Sequence, residues 1–179
     1  MLRAPLLSVN IFCIESVAQR ELLMKLDKID RKILQLLQTD ASLSAAEIAE
    51  QVNLSQPPCW RRIKRLEEDG YIVQRIAVLD RAKLGLNLVI YAEIKLINNG
   101  EIAIFESEVQ KIDEITECYV MLGDADFLLR IVTTDIAGYE RLYRNQLSKI
   151  PGVQAFKTSV AMTEVKRSNK IPLDLVAYD

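Results

Sequence analysis

Between Gln56 and Arg65 the chain sets Arg61, Arg62, Lys64 and Arg65 behind two prolines and a tryptophan, in the stretch "LSQPPCWRRIKRLEEDG" (residues 54–70). These residue types suit a nucleic acid. An arginine fork matches guanine O6 and N7, glutamine matches adenine, and lysine or arginine clamps phosphate without reading sequence. A second set is the carboxylate pair Asp124 and Asp126. Such a pair can do acid–base work or hold magnesium, and Gly-Asp steps equally suit a hairpin turn. Other chemistry is thin. The chain has no histidine, which removes His-based triads, His zinc sites and the commonest general base. It carries no GxxxxGK phosphate loop, no GxGxxG and no metal-ligand cluster. Cys13, Cys59 and Cys118 lie far apart with no CxxC pair, the pattern of reduced, mostly buried thiols.

Helical geometry sorts the charges. At about 100° per residue, with Cys59 at zero, Ile63 and Leu66 fall within about 40° of it and define a core side. Arg61, Lys64 and Arg65 fall between roughly 140° and 240°, with Pro57 above them and Trp60 and Arg62 on the flanks. Glu67, Glu68 and Asp69 then limit how far a phosphate backbone could run along the helix. For an isolated helix this is a solvated cationic face; what precedes it changes that reading. The first turn of a helix has N–H groups without partners, so Pro57 and Pro58 cost little there and pre-set the helix start.

Upstream, Ile29, Ile33, Leu36 and Leu37 form an amphipathic stripe. Ser44 and Glu47 make a capping box that starts a second helix near Ala45. Its expected inner face is Ala46, Ile48, Ala49 and Val52, and Asn53 ends it in the left-handed conformation that a tight turn needs. The third helix should run from about Pro57 to Asp69 and stop at Gly70. Helix, very short turn, helix is the helix-turn-helix arrangement, whose second helix enters the DNA major groove. "YIVQRIAVLDRAKLG" follows, as two short strands around a turn or a strand and a loop, the size of a wing or connector.

From Asn87 the period changes. Leu88, Ile90, Ala92, Ile94 and Leu96 alternate as a strand. Ile102, Phe105, Val109 and Ile112 share a helical face, and "ITECYVML" and "FLLRIVTT" are strands joined through Gly123-Asp124-Ala125-Asp126. Asp135 caps a helix with the stripe Ile136, Tyr139, Leu142, Tyr143 and Leu147, and Pro151-Gly152 leads to a last strand, "VQAFKTSVAMTEVK". The order β-α-β-β-α-β is the ferredoxin-like split unit. The face away from the helices also carries apolar residues, Val89, Tyr91 and Ile97 among them, so sheet-to-sheet homodimerisation is expected.

The chain has 179 residues, half of them hydrophobic, and a net charge of −2. With a pI near 5.4, any nucleic-acid site is a local basic patch on an acidic molecule. No apolar run approaches the ~18 residues of a membrane span. "PLLSVNIFCIESVAQ" imitates a signal peptide, but Arg3 is its lone leading charge and Asn10 and Glu15 interrupt it; residues 1–23 read instead as an appended segment. The expected organisation is α+β, with residues 1–24 an extension and 25–75 a helix-turn-helix domain. Residues 76–87 are a connector, 88–166 a ferredoxin-like domain and 167–179 a tail.

In combination, "LDKIDRKILQLLQ", "LSQPPCWRRIKRLEEDGYI", "GDADFLLRI", "IPGV" and "SVAMTEVK" resemble the leucine-responsive regulator/asparagine regulator (Lrp/AsnC) family of transcription factors, over about residues 25–172. The resemblance implies a winged helix-turn-helix before a βαββαβ domain. It also implies a cytoplasmic homodimer that assembles into tetramers or octamers and a small effector, usually an amino acid, bound between dimers. No cofactor, catalytic residue, metal or membrane is implied. The charged face of the third helix, placed second in a helix-turn-helix, assigns contact with double-stranded DNA to Ser55, Gln56, Pro57, Trp60, Arg61, Arg62, Lys64 and Arg65. By position, the resemblance implies an effector site involving Leu122, Gly123, Asp124, Asp126, Ile136, Ser159 and Val160. A Gly loop can offer N–H groups to a carboxylate while an aspartate pairs with an amino group.

Two departures stand out: Gln56-Pro57 sits where many relatives have Pro then Thr, and "RSNKIPL" differs from the usual Thr-rich ending. The same architecture looks like that of siroheme decarboxylases, which depend on histidines that this chain lacks. A mainly architectural, DNA-wrapping protein with little effector control is the other alternative.

Overall fold

The structure is a computed structural model and describes residues 26–176. It divides into two compact units. One holds the described residues up to Ile76 together with those from Ser168 onward, and the other is Ala77–Arg167.

Three helices build the first unit: α1 (Lys28–Leu37), α2 (Ala45–Gln51) and α3 (Gln56–Glu68). Asp27 caps α1 by accepting the N–H groups of Ile29 and Asp30, and Asp30 returns the contact to the Asp27 N–H. Ser44 and Glu47 form the reciprocal box expected for α2. Asn53 adopts φ 56°, so the turn between α2 and α3 is made by one of the few residue types besides glycine that tolerate it. Ile33, Leu37, Ile48, Ala49, Val52, Cys59, Ile63 and Leu66 form the shared core. Gly70 follows α3 at φ 77°. The expected inner face of α2 needs one correction. Ala46 is exposed, and Ala45 packs on the core in its place, because Ala45 lies three and four residues before Ile48 and Ala49.

No strand forms in residues 71–87, where two short strands around a turn, or a strand and a loop, are expected. Val73, Ile76, Val78 and Leu79 are all exposed; a strand needs a partner for its ladder, and the described residues provide none.

The second unit is an antiparallel sheet of order β2-β3-β1-β4, from β1 (Leu88–Leu96), β2 (Ile115–Val120), β3 (Phe127–Thr133) and β4 (Val153–Val160). Helices α4 (Ile102–Val109) and α5 (Ile136–Asn145) complete the βαββαβ order. Ile90, Ala92, Ile94, Phe127, Leu129 and Ile131 meet Phe105, Val109, Leu142 and Leu147 in one core. Phe105 and Phe127 stack with centroids 4.6 Å apart. Two expectations shift. β4 ends at Val160, short of Lys166, and Ile136 is exposed while Gly138 takes the buried position near the start of α5. A Cβ on Gly138 would stand 2.7 Å and 2.8 Å from the Thr134 and Thr133 hydroxyls, so only glycine lets the helix start approach this closely.

The helix-free face is mixed, as its sequence suggests. Tyr91 of β1 and Tyr119 of β2 are exposed there, 41% and 54%, beside the ion pairs Lys157–Glu93 and Arg130–Glu117. Cys59 and Cys118 are free thiols. Burial, helped by the nearby Glu106 charge, pushes the Cys118 thiol up to about 11, and burial also raises that of Cys59. Both are therefore poor nucleophiles. Cys13 and the N-terminal extension lie outside the described residues.

Candidate nucleic-acid interface

Ser55 precedes α3 in an extended conformation (φ −77°, ψ 156°) and makes no capping bond with its side chain. That contrasts with Asp27 and Ser44, whose side chains both cap. Pro57 and Pro58 occupy the first turn, where missing N–H groups leave nothing unpaired, and the Cys59 N–H makes the first intrahelical bond to Ser55 O at 3.3 Å. Gln56, Pro57, Trp60 and Arg61 line an open concavity at this end of the helix. Trp60 is 52% exposed. Among the described residues, Gln56, Trp60 and Arg61 spend no side-chain hydrogen bond or ion pair.

The four cations divide. Arg61 is outward and uncommitted, and Lys64 is exposed and pairs with Glu67 at 2.8 Å. Arg62 and Arg65 turn back to α1. Arg62 donates to Asp27 at 2.6 Å and to Asp30 at 2.8 Å, and Arg65 donates to Asp30 at 2.5 Å. Burial works against the charges of Arg62 and Asp27. The two aspartates nonetheless raise the guanidinium pKa, while the Asp30 N–H and Arg62 hold the Asp27 carboxyl below its usual range. Sequence reasoning missed Asp30. Its signal was available: Asp30 stands three and seven residues before Ile33 and Leu37, an acid within an apolar stripe.

The expected effector residues fall into two groups. Leu122, Gly123 and Asp124 form an exposed hairpin tip, with Leu122 wholly in solvent (104%). Gly123 sits at φ 156°, and nothing lies within 4 Å of where a Cβ would be, so conformation rather than space requires glycine there. Asp126, behind the tip, accepts the Leu96 N–H at 2.7 Å and the Lys95 ammonium at 3.2 Å. The Leu96 N–H, with help from Lys95 against partial burial, lowers its pKa.

Ser159 pairs with Tyr91 and Val160 with Ile90, whereas Phe127 beside the hairpin pairs with Ile94. Four residues of β1 therefore separate the groups by about 14 Å at ~3.4 Å per residue. Ile136 follows β3 on the Val160 side. Adjacent strand residues face opposite ways, so Val160 shares the helix-covered face with Ile90 while Ser159 shares the open face with Tyr91. One chain does not bring all seven residues together. Among the described residues no group of acidic or thiol side chains could hold a metal ion, and no helix is long and apolar enough to cross a membrane.

Two family descriptions match this chain: winged helix-turn-helix DNA-binding over residues 26–73, and Lrp/AsnC ligand binding domain over residues 89–171. The leucine-responsive regulatory protein of Klebsiella pneumoniae is 42% identical over 149 residues, covering 82% of this chain and 90% of that protein. The DNA-binding transcriptional activator DecR of Escherichia coli is 37% identical, covering 83% of this chain and 99% of that protein. A transcriptional regulator from Neisseria meningitidis, solved in complex with L-Met, superposes with a TM-score of 0.80 at 33% identity, covering 83% of this chain and 97% of that one.

Proposed function

Because the chain belongs to the Lrp/AsnC family of transcription regulators, we propose that it is a sequence-specific, ligand-responsive regulator that reads DNA with α3. The relatives it matches over most of their length are regulators rather than enzymes. The observation that carries the proposal is the outward start of α3, where Gln56, Trp60 and Arg61 are exposed and uncommitted beside the free Ser55 hydroxyl. Arg61 and Gln56 address base edges, and Lys64 exchanges Glu67 for phosphate. Trp60 and Pro57 shape the wall around them. Arg62 and Arg65 act from behind, through α1. A second copy covers the open sheet face around Tyr91 and Tyr119, and the dimer reads a pseudo-palindrome with half-sites about one helical turn apart.

The effector is an amino acid or close analogue. Two observations support this: the match to a ligand-binding domain, and the Neisseria relative solved with L-Met. Since the hairpin tip lies far from Ile136, Ser159 and Val160 within one chain, the pocket closes between copies. Assembly into a tetramer or octamer of cytoplasmic dimers therefore accompanies binding.

The test pairs a randomised duplex library with a thermal-shift screen of free amino acids. The expected result is one enriched sequence, together with an amino acid that raises Tm by mass action and changes affinity for that duplex. Absence of any enriched sequence, with DNA compaction retained, would replace this reading by the architectural one.

A further inference from the structure

We infer that Asp30 is a positioning residue for DNA recognition, a buried carboxylate that fixes the roll of α3 by gripping Arg62 and Arg65 together. The inference rests on the assignment of α3 as the DNA-reading helix. Asp30 is 1% exposed although it lies on α1 and carries a charge. Its Oδ1 accepts from Arg62 at 2.8 Å, and its Oδ2 accepts from Arg65 at 2.5 Å and from the Asp27 N–H at 3.3 Å. Arg62 is held a second time by Asp27 at 2.6 Å.

These contacts do what the apolar core does not. Cys59, Ile63 and Leu66 hold α3 against the core, but hydrophobic contact is non-directional and yields to a rotation that keeps the same area buried. Charge-assisted bonds are directional. Arg62 and Arg65 stand one turn apart on one flank of α3, so a single carboxylate holding both fixes the angle at which Arg61 and Gln56 face outward. Asp30 also withholds two cations from phosphate. Arg65 keeps a side chain 40% exposed, so its guanidinium is within reach of solvent once released, with only the 3.9 Å contact to Asp69 remaining.

The test compares two duplexes by fluorescence anisotropy across a salt series: the sequence that the full chain enriches from a random library, and a shuffled duplex of equal composition. For Asp30→Asn, preference for the enriched duplex falls at least about tenfold, the scale of a lost base-reading contact. Binding to the shuffled duplex persists, and its log–log salt slope steepens by about 0.9, one extra counterion released by the freed Arg65. Equal weakening on both duplexes with an unchanged slope would mean a purely structural role and overturns the inference. If circular dichroism shows Asp30→Asn unfolded, Arg62→Met decides: it keeps the stem, removes one strut and must lower discrimination. Unchanged discrimination in that variant overturns the inference too. Discrimination left unchanged at every position by Arg61→Ala would instead remove the α3 assignment on which the inference stands.

Discussion

The Asp126 carboxylate accepts the Leu96 main-chain N–H at 2.7 Å, across thirty residues of sequence, where β1 departs from its register with β4 between Lys95 and Leu96. An irregularity in a ladder leaves donors without strand partners, and the aspartate takes one of them. A residue expected to act as a ligand handle is thus also a clamp on the sheet. Asp126→Ala should lower the thermal midpoint as well as the effector response, whereas Asp124→Ala should lower the response alone. Melting curves with and without the amino acid found by the screen separate the two roles; an unchanged midpoint in Asp126→Ala would remove the clamp.

Acid should weaken the fold through several carboxylates. The Leu96 N–H lowers the Asp126 pKa, and hydrogen bonds from Ser44 and Lys64 lower those of Glu47 and Glu67. A carboxylate with a depressed folded pKa contributes stability above its ordinary value of about 4, and that contribution is lost as pH falls through the folded value. Urea midpoints should hold steady from neutrality to about pH 5 and fall below about pH 4. Asp126→Asn should flatten part of that fall.

On DNA, Arg61→Ala should cost about 1–3 kcal/mol on the enriched duplex and relax discrimination at one position. Lys64→Ala should weaken all sequences alike and make the salt slope shallower by about one contact. Anisotropy titrations at several salt concentrations read both effects, and the reverse pattern would exchange the two roles.

Asn53 offers a test of the turn itself. Asn53→Ala places an alanine at φ 56° and should cost about 1 kcal/mol. Asn53→Gly should be neutral or slightly stabilising, as read from chemical denaturation.

Much of the fold was legible in the sequence because it is written in local rules. The Ser44/Glu47 box, Asn53 at the turn, the Cys59–Ile63–Leu66 stripe and the alternation from Leu88 to Leu96 each need only neighbouring residues, and each is found. What escaped depends on distant partners. Asp30 stands out locally as an acid within an apolar stripe, but its role needs Arg62 and Arg65, 32 and 35 residues away, which supply its counter-charge. "VQRIAVL" has the composition of a strand, but strand propensity does nothing without a ladder to join. The split of the expected effector residues follows from strand order, which no single segment encodes. Ile136 opens α5 and is exposed, while Gly138 and Leu142 form the buried side of that helix.

The C-terminal tail returns to the first unit. Ile171 exchanges two hydrogen bonds with the Gln38 side chain, Lys170 reaches the Thr39 hydroxyl and Arg31 pairs with Asp174. In topological terms the ligand-binding unit is an insertion, entered after Ile76 and left before Ser168. A single cut in the exposed segment 77–87 would therefore leave two fragments that still share a folded surface, the second carrying the strap that docks on the first. Separating them would require undoing that docking as well as the peptide bond.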